Sequence, residues 1–139
     1  MTNFFIKTDL SRKDAENIVS DTLNNCDDGE LFLENSKSES IILDDEKIKS
    51  SSYSSDLGYG LRAVTGEVIA YSHSNEISKN SLKQSAKNIN STLKSKKGVY
   101  NQEIPKTNEK FYKDVNPIEK KTLDSKLELL KEINNYTGS

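Results

Sequence analysis

The sequence predicts an α+β domain, an antiparallel β-meander of about four strands with helices packed on one face. Apolar residues recur at helical spacing near residues 10–25 and again over 76–94. Between these stretches lie strand-like runs separated by turn residues. The connections between the runs are too short for βαβ crossovers, so neighbouring strands are expected to be antiparallel. A chain of 139 residues suits about one domain. Hydrophobic residues make up only 32% of it, which limits the core to one thin layer of helices on a sheet and argues against a self-contained enzyme with a deep pocket. Charged residues reach 30%, yet the net charge is -2. That balance argues against a disordered polyelectrolyte and gives no global reason to expect nucleic acid or membrane as partner.

Ser11 followed by Asp14 reads as a helix start, with Ser11 capping free N–H groups and Asp14 at the capping-box position. Ala15, Ile18, Val19, Thr22 and Leu23 then share one face, so a helix to about residue 25 is expected. Asp27-Asp28-Gly29 signals a turn. Residues 30–43 carry apolar ends and a polar middle, which suggests a long exposed or bent strand, and Asp44-Asp45-Glu46 makes a polar turn. Residues 47–54 form a second, weakly hydrophobic strand, and 57–64 and 67–74 flank Thr65-Gly66, a two-residue hairpin turn. Ile77, Leu82, Ala86, Ile89 and Leu93 give the next helix over 76–94. Residues 95–121 hold both prolines, Pro105 and Pro117, with little periodicity, so 96–121 reads as an extended connector after an N-terminal domain of 1–95. A last helix within 122–139 starts near Thr122 and runs through Leu123, Leu127, Leu130 and Ile133.

A Thr65-Gly66 turn would set Val64 opposite Glu67, Arg62 opposite Ile69, Gly60 opposite Tyr71 and Gly58 opposite His73. Leu57, Tyr59, Leu61, Ala63, Val68 and Ala70 then form the core face. The other face carries Gly58, Gly60, Arg62, Val64, Glu67, Ile69, Tyr71 and His73. Glycines within a strand mark a bend or a close approach by another group, and a tyrosine ring across Gly60 would cover the bare backbone. Arg62 stands out in a chain of 18 lysines and 2 arginines. Its guanidinium suits bidentate recognition of a carboxylate, although a structural ion pair with Glu67 or a partner helix is the favoured reading. His73 reads as hydrogen-bonded scaffold before general base, and because residue 74 is Ser it begins no H-E-x-x-H motif.

Lys79, Lys83 and Lys87 follow at four-residue spacing on the second helix, with no acid from 78 to 98, whereas 27–46 holds eight acids and one lysine. The lysine stripe reads first as a solvated face. It lacks the arginines and stacking aromatics of a nucleic-acid surface, so nucleic acid is an unlikely partner. The two oppositely charged patches could also attract each other, within the fold or across a dimer. Cys26 alone excludes an internal disulfide and reads as a packed side chain. A single histidine makes a His-based metal site improbable, and no Gly-rich phosphate loop, nucleophile elbow or Cys/His pair is present, so no catalytic or metal residue is assigned. Neither a signal-peptide core nor a run approaching roughly 18 apolar residues occurs, so a soluble, cytoplasmic chain without a membrane partner is expected.

Asp56, Gly58, Gly60 and Arg62 form a D-x-G-x-G-x-R strand, followed by the Gly66 turn, a strand with Ala70 and Tyr71, and a helix. This order resembles the N-terminal region of the TldD/PmbA family. Residues 30–34 and 38–44 fit that family's opening strands, and 111–118, followed by a helix, look like the TldD side of the family. Ala70 stands where the family often has glycine, and a small residue is kept. The resemblance covers essentially the whole chain.

The resemblance implies a zinc-dependent metallopeptidase of the cytoplasm that trims unfolded or modified peptides as a pair of TldD-like and PmbA-like (TldE) chains. The family's metal site, an H-E-x-x-x-H helix and a distant cysteine, lies in a later part of a longer protein and is absent from this sequence. The chain is therefore expected to bind no zinc itself and to be inactive alone. Its expected role is to help build the substrate channel and the interface with a PmbA/TldE-like subunit or with itself. Arg62, Tyr71, His73, Gly58 and Gly60 are the candidate contacts to substrate or partner. The alternative is a stand-alone, non-catalytic module that binds protein or nucleic acid through the Lys-rich helix.

Overall fold

Ser11 caps the first helix, α1 (Arg12–Leu23): its hydroxyl accepts from the Asp14 N–H at 3.0 Å and donates to the Asp14 carboxylate at 2.8 Å. This is a computed structural model, and it describes residues 4–94, 98, 111, 113 and 115–138. The expected connector at 96–121 falls largely outside the described residues, as do Lys96, Lys97, Tyr112 and Asp114. Strands β1 (Asp28–Asp44), β2 (Lys47–Thr65) and β3 (Val68–Ser74) form one antiparallel sheet in the order β1-β2-β3. Helix α2 (Lys79–Leu93) follows, capped by the Ser78 hydroxyl, and a 3-10 turn at Ile118–Lys120 precedes α3 (Leu123–Thr137), capped by Thr122.

The sheet differs from the expected meander in strand number. The runs 47–54 and 57–64 are one continuous strand, β2, so the described residues hold three strands where about four were expected. Residues 47–57 are all exposed, and the polarity of Ser54-Ser55-Asp56 reflects that exposure, not a turn. Asp45 and Glu46 join β1 to β2 with φ of 48° and 60°, the signature of a type I′ hairpin turn.

The second hairpin turns at Gly66-Glu67 instead of Thr65-Gly66. Gly66 takes φ +60° at the first central position, where a type II′ turn calls for glycine, and Thr65 pairs with Val68. This slides β3 by two residues against the expected register. Arg62 therefore lies opposite Tyr71, and Gly60 lies opposite His73. Because side chains alternate with a period of two, the slide leaves each residue on its expected face.

The chain forms two compact units: residues 1–35 with 56–110, and residues 36–55 with 111–139. In the first, Tyr59, Leu61, Ala63 and Ala70 of the sheet join Leu10, Ala15 and Leu23 at α1 and Leu82, Ala86, Ile89 and Leu93 of α2 in one core. Val68 packs beside this core, whereas Leu57 is 42% exposed. The Tyr59 hydroxyl lies 2.9 Å from both Ser81 Oγ and Ser85 Oγ, and Ser72 donates to Ser85 at 3.0 Å, so these four hydroxyls satisfy one another between sheet and helix. The second unit has no buried side chain among its described residues. Its ion pairs are Lys37 with Glu119 at 2.7 Å, Lys49 with Asp44 at 2.9 Å, and Lys126 with Glu39.

Candidate functional site

On the sheet face away from the core, Phe32 of β1 and Tyr71 of β3 stack at 6.4 Å between ring centroids, with 16° between their planes. Tyr71 stacks in turn on His73 at 5.8 Å and 24°. The row rests on glycine. A Cβ at Gly60 would meet Phe32 Cζ at 2.3 Å and the Tyr71 hydroxyl at 2.7 Å, so only a bare backbone lets the rings lie there. The ring expected over Gly60 was a tyrosine; Phe32 supplies most of the cover. A Cβ at Gly58 would meet the Ser74 carbonyl oxygen at 2.7 Å, a backbone approach that again needs glycine. Beside the row is a shallow depression of about 200 Å³, with Glu34, Asp56, Gly58 and His73 among its lining.

Arg62 anchors the β1 side of this face. Its Nη2 donates to Asp28 at 2.8 Å and its Nε to Glu30 at 3.1 Å, neither of them the expected Glu67. Asp28 first and Glu30 second hold the guanidinium pKa above its ordinary value, against a smaller opposing effect of burial. The favoured ion-pair reading thus holds with different partners, and two of the N–H donors are committed within the chain. Arg62, Tyr71, His73, Gly58 and Gly60 all come together on this one face. Phe32, Asp28 and Glu30 were missed, although the alternation along 28–34 would have placed the three on one side of a strand.

The lysine stripe is not a uniform surface. Lys79 Nζ donates to Asp14 at 2.8 Å, and its backbone N–H donates to Asp9 at 2.9 Å, so Lys79 ties α2 to α1 and to the segment before it. Lys83 and Lys87 remain exposed. Cys26 is buried in the core, 3.7 Å from the Thr22 carbonyl oxygen, while His73 is exposed on the open face. Among the described residues no three His, Cys, Asp or Glu side chains converge as metal ligands, so the residues present do not fit a zinc site. Among the described residues, no helix is long and apolar enough to cross a membrane.

A family model described as PmbA/TldA metallopeptidase domain 1 matches residues 29–91, which hold β2, β3 and the whole aromatic row. The chain is 38% identical over 109 residues to a protein named Metalloprotease TldD homolog from Buchnera aphidicola of Acyrthosiphon pisum, covering 78% of this chain and 23% of the relative. It is 33% identical over 112 residues to the Metalloprotease TldD homolog of Haemophilus influenzae, covering 76% and 23%. A third relative of that name, from Buchnera aphidicola of Schizaphis graminum, is 28% identical over 129 residues, or 91% of this chain and 27% of its own. The chain thus spans about a quarter of the length of the curated relatives it matches. It belongs to the TldD/PmbA family, and residues 29–91 correspond to the first domain of those metallopeptidases.

Proposed function

We propose that this chain acts as a non-catalytic first domain of a TldD-like metallopeptidase, contributing to the substrate channel and the subunit interface. One observation carries the reading: the open sheet face, with the Phe32–Tyr71–His73 row on Gly60 and the doubly paired Arg62, has exposed aromatic rings among the described residues, and its row, Gly60 and Arg62 all lie within the residues matched by the family's first domain. Phe32 is 42% and Tyr71 55% exposed, and paired aromatics left in water are surface that a partner or substrate can bury. Arg62, Tyr71, His73, Gly58 and Gly60 are the contact residues of this face. The partner is a PmbA/TldE-like subunit or a second copy, the substrate is an unfolded or modified peptide, and the setting is the cytoplasm. Zinc is the metal, held by residues outside this chain. A free edge of the sheet can additionally bind an extended peptide by strand addition.

The test compares this chain with a relative-length protein that contains it. The chain alone with added zinc is expected to leave peptides uncut, and robust hydrolysis by it would sink the reading. In the longer protein, Arg62→Ala is expected to reduce peptide trimming or subunit pairing more than it reduces Tm. Partly exposed ion pairs are worth about 1 kcal/mol or less. A Tm loss that accounts for the whole activity loss would return Arg62 to a purely structural role.

A further inference from the structure

The open sheet face is charged unevenly along its length. At one end Asp28 and Glu30 share Arg62, which donates to both. At the other end Glu34 of β1 and Asp56 of β2 line one depression of about 200 Å³, and no lysine or arginine among the described residues lines it with them. Neither carboxylate has a hydrogen-bond or ion-pair partner among the described residues. The strands that carry them are neighbours in the sheet, so two negative charges share one concavity without a counter-ion. Charges on an edge strand such as β1 can keep other strands off. Asp56 lies on the central strand, where it serves no such purpose.

Aromatic rings form another part of the wall. Phe32 and Tyr71 line the same depression and are 42% and 55% exposed, with His73 stacked on Tyr71. The face of an aromatic ring attracts a cation that comes within roughly 6 Å of its centroid. Gly58, also in the lining, adds no side chain that would fill the space. Ionised carboxylates only accept hydrogen bonds, so the pair calls for donors. A guanidinium meets both demands: its planar fork of N–H groups pairs with carboxylates, and its face stacks on rings. An ammonium is a point charge that does only the first well.

We infer that this depression takes the guanidinium of an arginine side chain from a bound peptide, with Glu34 and Asp56 accepting its N–H groups and the rings of Phe32 and Tyr71 beside its plane. The chain supplies Arg62 to one acidic pair of the face and leaves the other pair to the ligand. This deepens the reading above and rests on it in taking a peptide as the ligand; it adds a preference for arginine over neutral side chains. The contact is made on the sheet face by one side chain and needs no backbone pairing.

The probe is acetyl-Gly-Arg-Gly amide, too short to form a stable strand, titrated into the isotope-labelled chain and followed by amide chemical shifts. Saturating shifts are expected at Phe32, Glu34, Asp56 and Gly58. The same peptide with citrulline, similar in shape but uncharged, should bind about fivefold more weakly, since exposed ion pairs each contribute modestly. The variant carrying Glu34→Gln and Asp56→Asn should lose that same factor for the arginine peptide and keep its affinity for the citrulline peptide. Its Tm should hold or rise, because like charges on neighbouring strands are removed. Raising salt from about 20 mM to about 300 mM should shrink the difference between the two peptides. Equal affinity for the two peptides overturns the inference, as does undiminished arginine binding by the variant. Shifts confined to the Asp28 and Glu30 end of the face overturn it too. Concentration-dependent self-association at these residues without peptide binding also overturns it, by assigning the depression to a second copy. Metal-dependent cleavage by the longer protein tests the domain reading separately: if cleavage occurs while the chain does not distinguish arginine from citrulline, only the arginine inference fails.

Discussion

Asp14 accepts from the Lys79 ammonium at 2.8 Å and from the Ser11 hydroxyl at 2.8 Å, linking the start of α1 to the start of α2. The Lys79 hydrogen bond first, and Ser11 next, hold its carboxyl below the usual carboxylate range. A carboxylate depressed in the folded state stabilises the fold above its unfolded pKa, and that stabilisation is lost as pH falls through the folded pKa. Thermal melts from about pH 6 to about pH 2 should show Tm falling across the carboxylate range. Asp14→Asn should flatten part of that fall, and an unchanged acid slope in the variant would remove Asp14 from the account.

The glycines of the open face make a sharper residue-level contrast. A methyl at Gly58 meets the Ser74 carbonyl oxygen, which is backbone, whereas one at Gly60 meets the tip of a Phe32 ring that is 42% exposed and has room to swing. Gly58→Ala is expected to cost about 1–3 kcal/mol in urea unfolding, and Gly60→Ala less. Gly60→Ala should instead erase the ring-current shifts between Phe32 and Tyr71 in NMR spectra. The two glycines were legible as close-approach sites, and Arg62 was legible by its rarity. Its partners were not, because Asp28 and Glu30 lie 34 and 32 residues away and meet it only once β1 and β2 are in register. Local spacing pointed to Glu67, which sits in the β2-β3 turn, whereas Arg62 lies opposite Tyr71 midway along the pairing.

Among the elements, the three helices were legible because each combines a capping Ser or Thr with an apolar face. The sheet was legible in its faces but not in its strand count or its register. A polar run such as 50–56 looks the same whether it ends a strand or continues one in solvent, and only the pairing with β1 decides. The β1-β2 turn carries its own prediction. Glu46 holds φ of 60°, where a side chain costs roughly 1 kcal/mol and glycine fits freely. Glu46→Gly relieves that cost, partly offset by about 0.4–1 kcal/mol of added unfolded-state entropy. Slower amide exchange at residues 36–55 in Glu46→Gly, and faster exchange in Glu46→Val, would bear this out; the reverse order would show that the turn is not under strain.

For the molecule as a whole, the thin core expected from a 32% hydrophobic composition is concentrated in one unit. Leu10, Leu23, Leu61, Leu82 and Ile89, each at most 2% exposed, all belong to residues 1–35 with 56–110. Residues 36–55 with 111–139 hold no buried side chain among those described, and in α3 Leu129, Ile133 and Tyr136 are 44%, 51% and 86% exposed. Burial of apolar surface is the main source of folding stability, so the two units should open independently and at very different cost. The Lys37–Glu119 pair depresses the Glu119 carboxyl and raises the Lys37 ammonium, but such pairs at the surface stabilise little and are screened by salt. Hydrogen exchange at neutral pH should therefore find strong protection at 59–65, 68–72 and 82–93, and weak protection across 36–55 and 123–137. Raising salt should weaken the second group further while leaving the first nearly unchanged. Uniform protection across both groups, with no salt effect, would mean that the second unit draws stability from something other than its ion pairs and its half-buried side chains.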